Sequence, residues 1–132
     1  MVTVRVAVIE KRPRLTNRLA RSSSKASGLS YHWLPLADDP AVQGDPLKSN
    51  TYDVIVVRIS PEETGILGRF LEERPRQVPV VLVADFTTEA EFLLRDLGIE
   101  ALLPRTTSDE TIHKTVGYLY ESCYSIWRLD SR

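Results

Sequence analysis

Charged side chains close four of the short apolar runs in this chain. Glu10 and Lys11 follow Val4 to Ile9, Arg58 follows Tyr52 to Val57, Asp85 comes just after Val78 to Val83 and Ala84, and Arg105 follows Ala101 to Pro104. A guanidinium stays protonated throughout the biological pH range and only donates hydrogen bonds. Arg58 therefore cannot accept a phosphoryl group, and it would repel a magnesium ion. Lys11, Arg58 and Arg105 would place up to three cations around Glu10, with Asp85 nearby. Two chemistries are open to such a cluster. Arg58 can pair internally with Glu10 or Asp85, or the cations can remain unneutralised and hold a phosphate, a nucleotide or an acidic peptide. No glycine-rich phosphate loop and no G-x-G-x-x-G accompanies them.

Other reactive side chains lack the company that their chemistry needs. Ser60 has no G-x-S-x-G setting and no histidine placed as its base, so it reads as a loop serine. A single cysteine, Cys123, excludes an internal disulfide and every cysteine-based zinc motif. His32 and His113 are far apart without matched carboxylates, so no metal site and no cofactor is expected, and nothing indicates an enzyme.

The elements that must hold the charged cluster follow from apolar patterning. Val4 to Ile9 reads as a strand, and Pro13 suits the first turn of a helix over Arg14 to Ser22. Tyr31 to Leu36 is a weaker second strand, and Ala37 to Lys48, rich in Asp, Pro and Gly, promises only a short or irregular helix. Tyr52 to Val57 is a third strand; Pro61 to about Glu73 is a helix with Leu67, Phe70 and Leu71 inward. Val78 to Val83 is a fourth strand. A helix capped by Thr87 or Thr88 runs through Leu97 to Gly98, Ala101 to Leu103 is a fifth strand, and Ser108 caps the last helix. Five strand and helix alternations with continuous apolar strands predict a doubly wound, five-stranded parallel sheet, a flavodoxin-like three-layer α/β sandwich. In such folds, functional groups collect beyond the carboxyl ends of the strands, where the charged cluster lies.

Over nearly all its length the chain resembles response-regulator receiver domains. Val6 to Pro13 resembles the first strand with its acidic pair, Tyr52 to Arg58 the phosphoacceptor strand, Val78 to Ala84 the fourth strand and Gly98 to Arg105 the fifth. The resemblance implies that Glu10 keeps one acid of the metal-binding pair and that Lys11 replaces the other. It further implies that Arg58 stands for the phosphoacceptor aspartate, Ala84 for the switch hydroxyl, Leu102 for the aromatic switch residue and Arg105 for the lysine. The expectation is a degenerate phosphorylation site and a pseudo-receiver: a phosphorylation-independent regulatory domain working through protein contacts or dimerisation. The alternative is a regulator whose cationic pocket binds a small anion instead.

Length and composition bound the remaining partners. With 132 residues, 42% of them hydrophobic, the chain fits a single domain, and a formal charge of -1 exerts no global pull on nucleic acid or anionic membrane. The apolar runs are too short to span a bilayer, and the start has no signal-peptide pattern, so a cytoplasmic setting is expected. Arg14, Arg18 and Arg21 recur at helical spacing and predict a basic helix face for a protein partner, with direct nucleic-acid binding disfavoured by the lack of interleaved aromatics. In the last helix Ile112, Val116, Leu119, Cys123 and Ile126 make an inward stripe. Gly117, Tyr120, Tyr124 and Trp127 make a second stripe, read either as a homodimer or interdomain contact or as core. Residues 125–132 read as a tail or the start of a linker, fitting the N-terminal part of a longer regulator with an attached output domain.

Overall fold

The computed structural model describes residues 3–23, 28–36, 52–60, 63, 78–85, 94–96 and 98–130, with the backbone alone for residues 123–130. Its described elements run β1 (Val4–Glu10), α1 (Arg14–Ser22), β2 (Leu29–Pro35), β3 (Val54–Arg58), β4 (Val80–Val83), β5 (Ala101–Leu103) and α2 (Asp109–Asp130). All five strands are parallel, in the order β2-β1-β3-β4-β5. This is the five-stranded parallel sheet that the patterning predicts, flavodoxin-like in its strand order.

Alternation along each strand divides the core in two. Val4, Val6 and Val8 of β1 join Val54 and Val56 of β3 and Val81 and Val83 of β4 on the face covered by α1 and α2, through Leu15, Leu19, Ile112, Val116 and Leu119. Ala7, Ile9, Ile55, Val57, Val80 and Leu82 face the other way, onto Leu94 and Ile99. Burial on both faces explains why β1, β3 and β4 read as unbroken apolar runs instead of alternating ones.

Helix ends follow local chemistry. Ser108 caps α2: its hydroxyl accepts the Thr111 N–H at 3.3 Å and its carbonyl accepts the Ile112 N–H at 3.1 Å. Residues 94–96 are helical and stop in a Schellman arrangement, in which the Gly98 N–H reaches the Arg95 carbonyl and the Ile99 N–H reaches that of Leu94. Gly98 adopts φ 94°, a left-handed conformation that a side chain would oppose.

Several boundaries differ from the sequence reading. β2 begins at Leu29, two residues before Tyr31, because parallel pairing with β1 extends back to Val4 opposite Leu29. β3 and β4 each start two residues late, since Asp53 and Pro79 bond to neighbouring strands from outside the ladder. The helical backbone of α2 runs through Asp130, so most of the 125–132 segment continues the helix. The expected element at 37–48, that at 61–73 apart from Glu63, and most of the helix ending near Leu97 lie outside the described residues.

Ile112 is fully buried between α2 and the sheet. Ile112→Ala is expected to lower the unfolding free energy by about 2 to 5 kcal/mol, seen as a lower urea midpoint. A shift no larger than that of Tyr118→Ala, whose side chain is exposed, would contradict the docking of α2 on this face.

Candidate functional site

Glu10 is the last residue of β1, and alternation turns its side chain to the face shared with Val8 and α1. It is 2% exposed, which for a carboxylate demands partners. Its Oε1 accepts the Leu15 N–H at 3.1 Å, and its Oε2 accepts both the Thr16 N–H and the Thr16 hydroxyl at 2.7 Å. Pro13, at the N-cap of α1, supplies no side-chain cap. Glu10 therefore caps α1 from the preceding strand, and its charge meets the positive end of the helix dipole.

Arg58 arrives beside it by register. Ile9 lies opposite Val57 on adjacent parallel strands, so the next residues, Glu10 and Arg58, end side by side on one face. Arg58 Nη1 stands 3.7 Å from Glu10 Oε1, an ion-pair contact longer than a hydrogen bond, with the arginine side chain 25% exposed. Lys11 instead pairs with Glu63, its Nζ 3.5 Å from Oε2. Glu63 Oε1 accepts the Ser60 N–H at 3.0 Å and the Ser60 hydroxyl at 2.8 Å. Burial alone would raise the Glu63 pKa; the two Ser60 bonds and the Lys11 charge outweigh it and hold the carboxyl below its ordinary range.

These groups line a cleft of about 330 Å³ at the carboxyl edge of the sheet, walled by Glu10, Lys11, Arg12, Arg14, Arg58, Ile59, Ser60, Glu63 and Arg105. Two of the expected neighbours stand elsewhere. Ala84 is buried in the opposite core layer, packed with Leu82 and Leu94. Asp85 is exposed and accepts the backbone N–H of Arg105 at 3.2 Å, so Glu10, not Asp85, is the partner of Arg58. Asp53 lies at the amino end of β3, where its Oδ2 accepts the Arg5 N–H at 2.8 Å. Among the described residues no group of three or more His, Cys, Asp or Glu side chains could hold a metal ion.

The surfaces singled out from sequence come out differently. Arg14 and Arg21 are exposed, but Arg18 donates from Nε to Asp109 Oδ1 at 2.6 Å, which ties α1 to the start of α2. Tyr120 is partly buried and packs on the core layer of Val116 and Leu119, so it is no free anchor. Four residues beyond Val116, it lies on the flank of the inward stripe and reaches the core from there. Tyr118, on the outer side, is exposed at 69%. Tyr124, Trp127, Cys123 and Ile126 lie outside the described side chains. None of the described helices is long and apolar enough to cross a membrane.

Sequence reasoning missed a hydrogen-bonded junction behind α1. The Tyr31 hydroxyl meets His113 Nδ1 at 2.6 Å, and His113 Nε2 meets the Ser22 hydroxyl at 2.9 Å, joining β2, α2 and α1. Since the Ser22 hydroxyl also lies 2.9 Å from the Arg18 carbonyl, one orientation satisfies all three: Tyr31 donates to Nδ1, Nε2–H donates to Ser22, and Ser22 donates to the carbonyl. Burial, with a smaller push from the charge of Asp109, raises the Tyr31 pKa well above its ordinary value and keeps the phenol protonated. Burial lowers the His113 pKa, against an opposing effect of Asp109. Nothing in the spacing of residues 22, 31 and 113 signals this contact. Glu63, by contrast, was legible as the fourth residue of Ser60-Pro61-Glu62-Glu63, a capping-box spacing.

No protein-family model matches the chain, and no curated protein does. Solved structures do. The chain matches the signal receiver domain of a signal-transduction histidine kinase from Syntrophus aciditrophicus with a TM-score of 0.70 at 17% identity, covering 91% of this chain and 92% of that one. It matches the pilus assembly protein CpaE from Caulobacter crescentus CB15 with a TM-score of 0.65 at 16% identity, covering 91% and 95%. It also matches NtrX from Brucella abortus with a TM-score of 0.72 at 10% identity, covering 98% of this chain and 29% of that one. At such identities the likeness establishes the fold, the CheY-like, flavodoxin-like architecture of receiver domains.

Glu10→Ala removes a cap and leaves buried N–H groups unpaired, and is expected to cost about 2 to 4 kcal/mol. Arg58→Met leaves the Glu10 hydrogen bonds in place and should cost about 1 kcal/mol; urea unfolding of both variants checks the order, and a costlier Arg58→Met would reverse it. The histidines set a pH dependence. His113 and His32 both have lowered pKa values, His32 through burial and then Arg5. Their neutral forms are thus favoured by folding, and this stabilisation is present above the ordinary value of 6.5 and lost as pH falls below it. The urea midpoint should drop from pH 7.5 to 5.5, with a smaller drop in His113→Gln; an undiminished drop would contradict a neutral His113 in the junction.

Proposed function

We propose that this domain is a regulatory module that works without phosphoryl transfer, through contact with a protein partner, a second copy or a covalently linked output domain. One observation carries the reading: the side chain delivered beyond β3, beside the buried acid of β1, is Arg58, which is three-quarters buried against Glu10 at 3.7 Å. The residue there has no oxygen to accept a phosphoryl group, and its cation occupies the ground on which a magnesium ion would need acidic ligands. On this reading Glu10, Lys11, Arg58 and Arg105 line a degenerate phosphorylation site, Ala84 just past β4 stands in place of its hydroxyl, and the domain is not an enzyme. The pairing of Arg58 with Glu10 favours one fixed conformation over a switch driven by modification.

The solved structures of this fold support a signalling or regulatory setting, since they include a signal receiver domain of a histidine kinase. The matched part of NtrX is 29% of that chain, which fits a domain linked to further modules. Contact surfaces favoured by exposure are the outer side of α2, where Tyr118 stands 69% exposed, and the α1 face bearing Arg14 and Arg21.

Incubation with acetyl phosphate and magnesium tests the reading by intact-mass spectrometry. No stable gain of one phosphoryl group is expected. A gain mapped to Asp53, Asp85 or any other aspartate would overturn it.

A further inference from the structure

The carboxyl-edge cleft carries a charge imbalance that the Arg58 pair does not resolve. Among the described residues five of its lining side chains are cationic, Lys11, Arg12, Arg14, Arg58 and Arg105, against the two carboxylates of Glu10 and Glu63, a formal excess of three positive charges. Both carboxylates are already engaged. Glu10 is occupied by two backbone N–H groups, the Thr16 hydroxyl and Arg58, and Glu63 by Ser60 and Lys11. Arg12, Arg14 and Arg105 line the same space with no ion-pair partner among the described residues. The excess is local, because the chain as a whole has a formal charge of -1.

From this we infer that the cleft is a binding site for a small phosphorylated metabolite carrying at least two negative charges, held without covalent chemistry and without a metal ion. The inference rests on the reading of Arg58 as a fixed cation and deepens it by assigning a ligand to the same site. Guanidinium groups match phosphate oxygens with paired donors, which favours phosphate over a spherical anion. At about 330 Å³ the cleft is at the small end of small-molecule sites. That is more room than one orthophosphate fills. Three cations without partners call for more than one phosphate charge. The arginines also come from separate places in the fold, Arg12 from the connection between β1 and α1, Arg14 from the first residue of α1 and Arg105 from the turn after β5. A bound polyanion would therefore fasten α1 to the far side of the sheet, so that occupancy becomes a restraint on the domain's geometry.

Isothermal titration of the protein with pyrophosphate, free of magnesium and at fixed ionic strength, tests the site. Saturable binding of one pyrophosphate per chain is expected, tighter than that of orthophosphate. Arg105→Gln and Arg14→Gln should each weaken it about tenfold or more, the loss of one charge-assisted contact. Lys114→Gln, which removes an exposed cation of α2 paired with Glu110, should leave it unchanged. Urea midpoints of the variants equal to that of the parent protein would show that folding is intact. No saturable heat at millimolar pyrophosphate overturns the inference, as does binding that survives both arginine substitutions or falls equally with Lys114→Gln. These outcomes leave the absence of phosphoryl transfer untouched, whereas a phosphorylated aspartate after acetyl phosphate treatment would remove the reading on which the site rests.

Discussion

The carboxylate of Glu10 organises the functional end of this domain. A buried acid with no partners would cost several kcal/mol, yet here two helical N–H groups and a hydroxyl surround it before any cation is counted. That arrangement fixes where α1 starts, since Pro13 provides no cap of its own. It also gives Arg58 a reason for its place, because the guanidinium answers the one charge on the buried side of the cleft. The order of strengths follows: helix capping comes first, and the ion pair, longer and partly solvated, is secondary.

Register converts sequence into this site with few free variables. β1 and β3 are adjacent and parallel, so the residues just past Ile9 and Val57 must end as neighbours on the same face. Neighbouring positions turn the other way, and Lys11 is left to pair with Glu63 across the outer side of the cleft. Ala84 follows the same rule at the end of β4, where alternation sends it into the opposite core layer with Leu82.

Much of this was legible in the residues, for physical reasons. Strands buried on both faces are written as uninterrupted β-branched runs, which is why β1, β3 and β4 were readable, and α1 kept its bounds from Arg14 to Ser22 because Pro13 and the serine run punctuate it. Ser108 and Gly98 acted at helix ends through local hydrogen bonds and φ, features that need no tertiary knowledge. The start of β2 was not legible, since Leu29 and Ser30 are ordered by pairing with β1 and not by their own pattern. Two partners for Arg58 could be named, but the choice of Glu10 over Asp85 depended on which acid alternation buries. Of the aromatic stripe of α2, Tyr120 takes the core alternative, because from the flank of the helix it still reaches the core. The Tyr31, His113 and Ser22 junction brings together residues 82 and 91 positions apart, and no local signal encodes that.

The seating of Glu10 has an evolutionary corollary. An acid introduced at position 58 would confront a neighbouring carboxylate already shut away from solvent, with the intervening cation gone, and like charges so placed raise the cost of ionising either one. The first mutational step toward an acidic centre therefore trades an ion pair for a like-charge contact, which only the remaining cations of the cleft could offset. Selection would meet this edge of the sheet as a ratchet, in which the present charge pattern is easier to elaborate than to reverse.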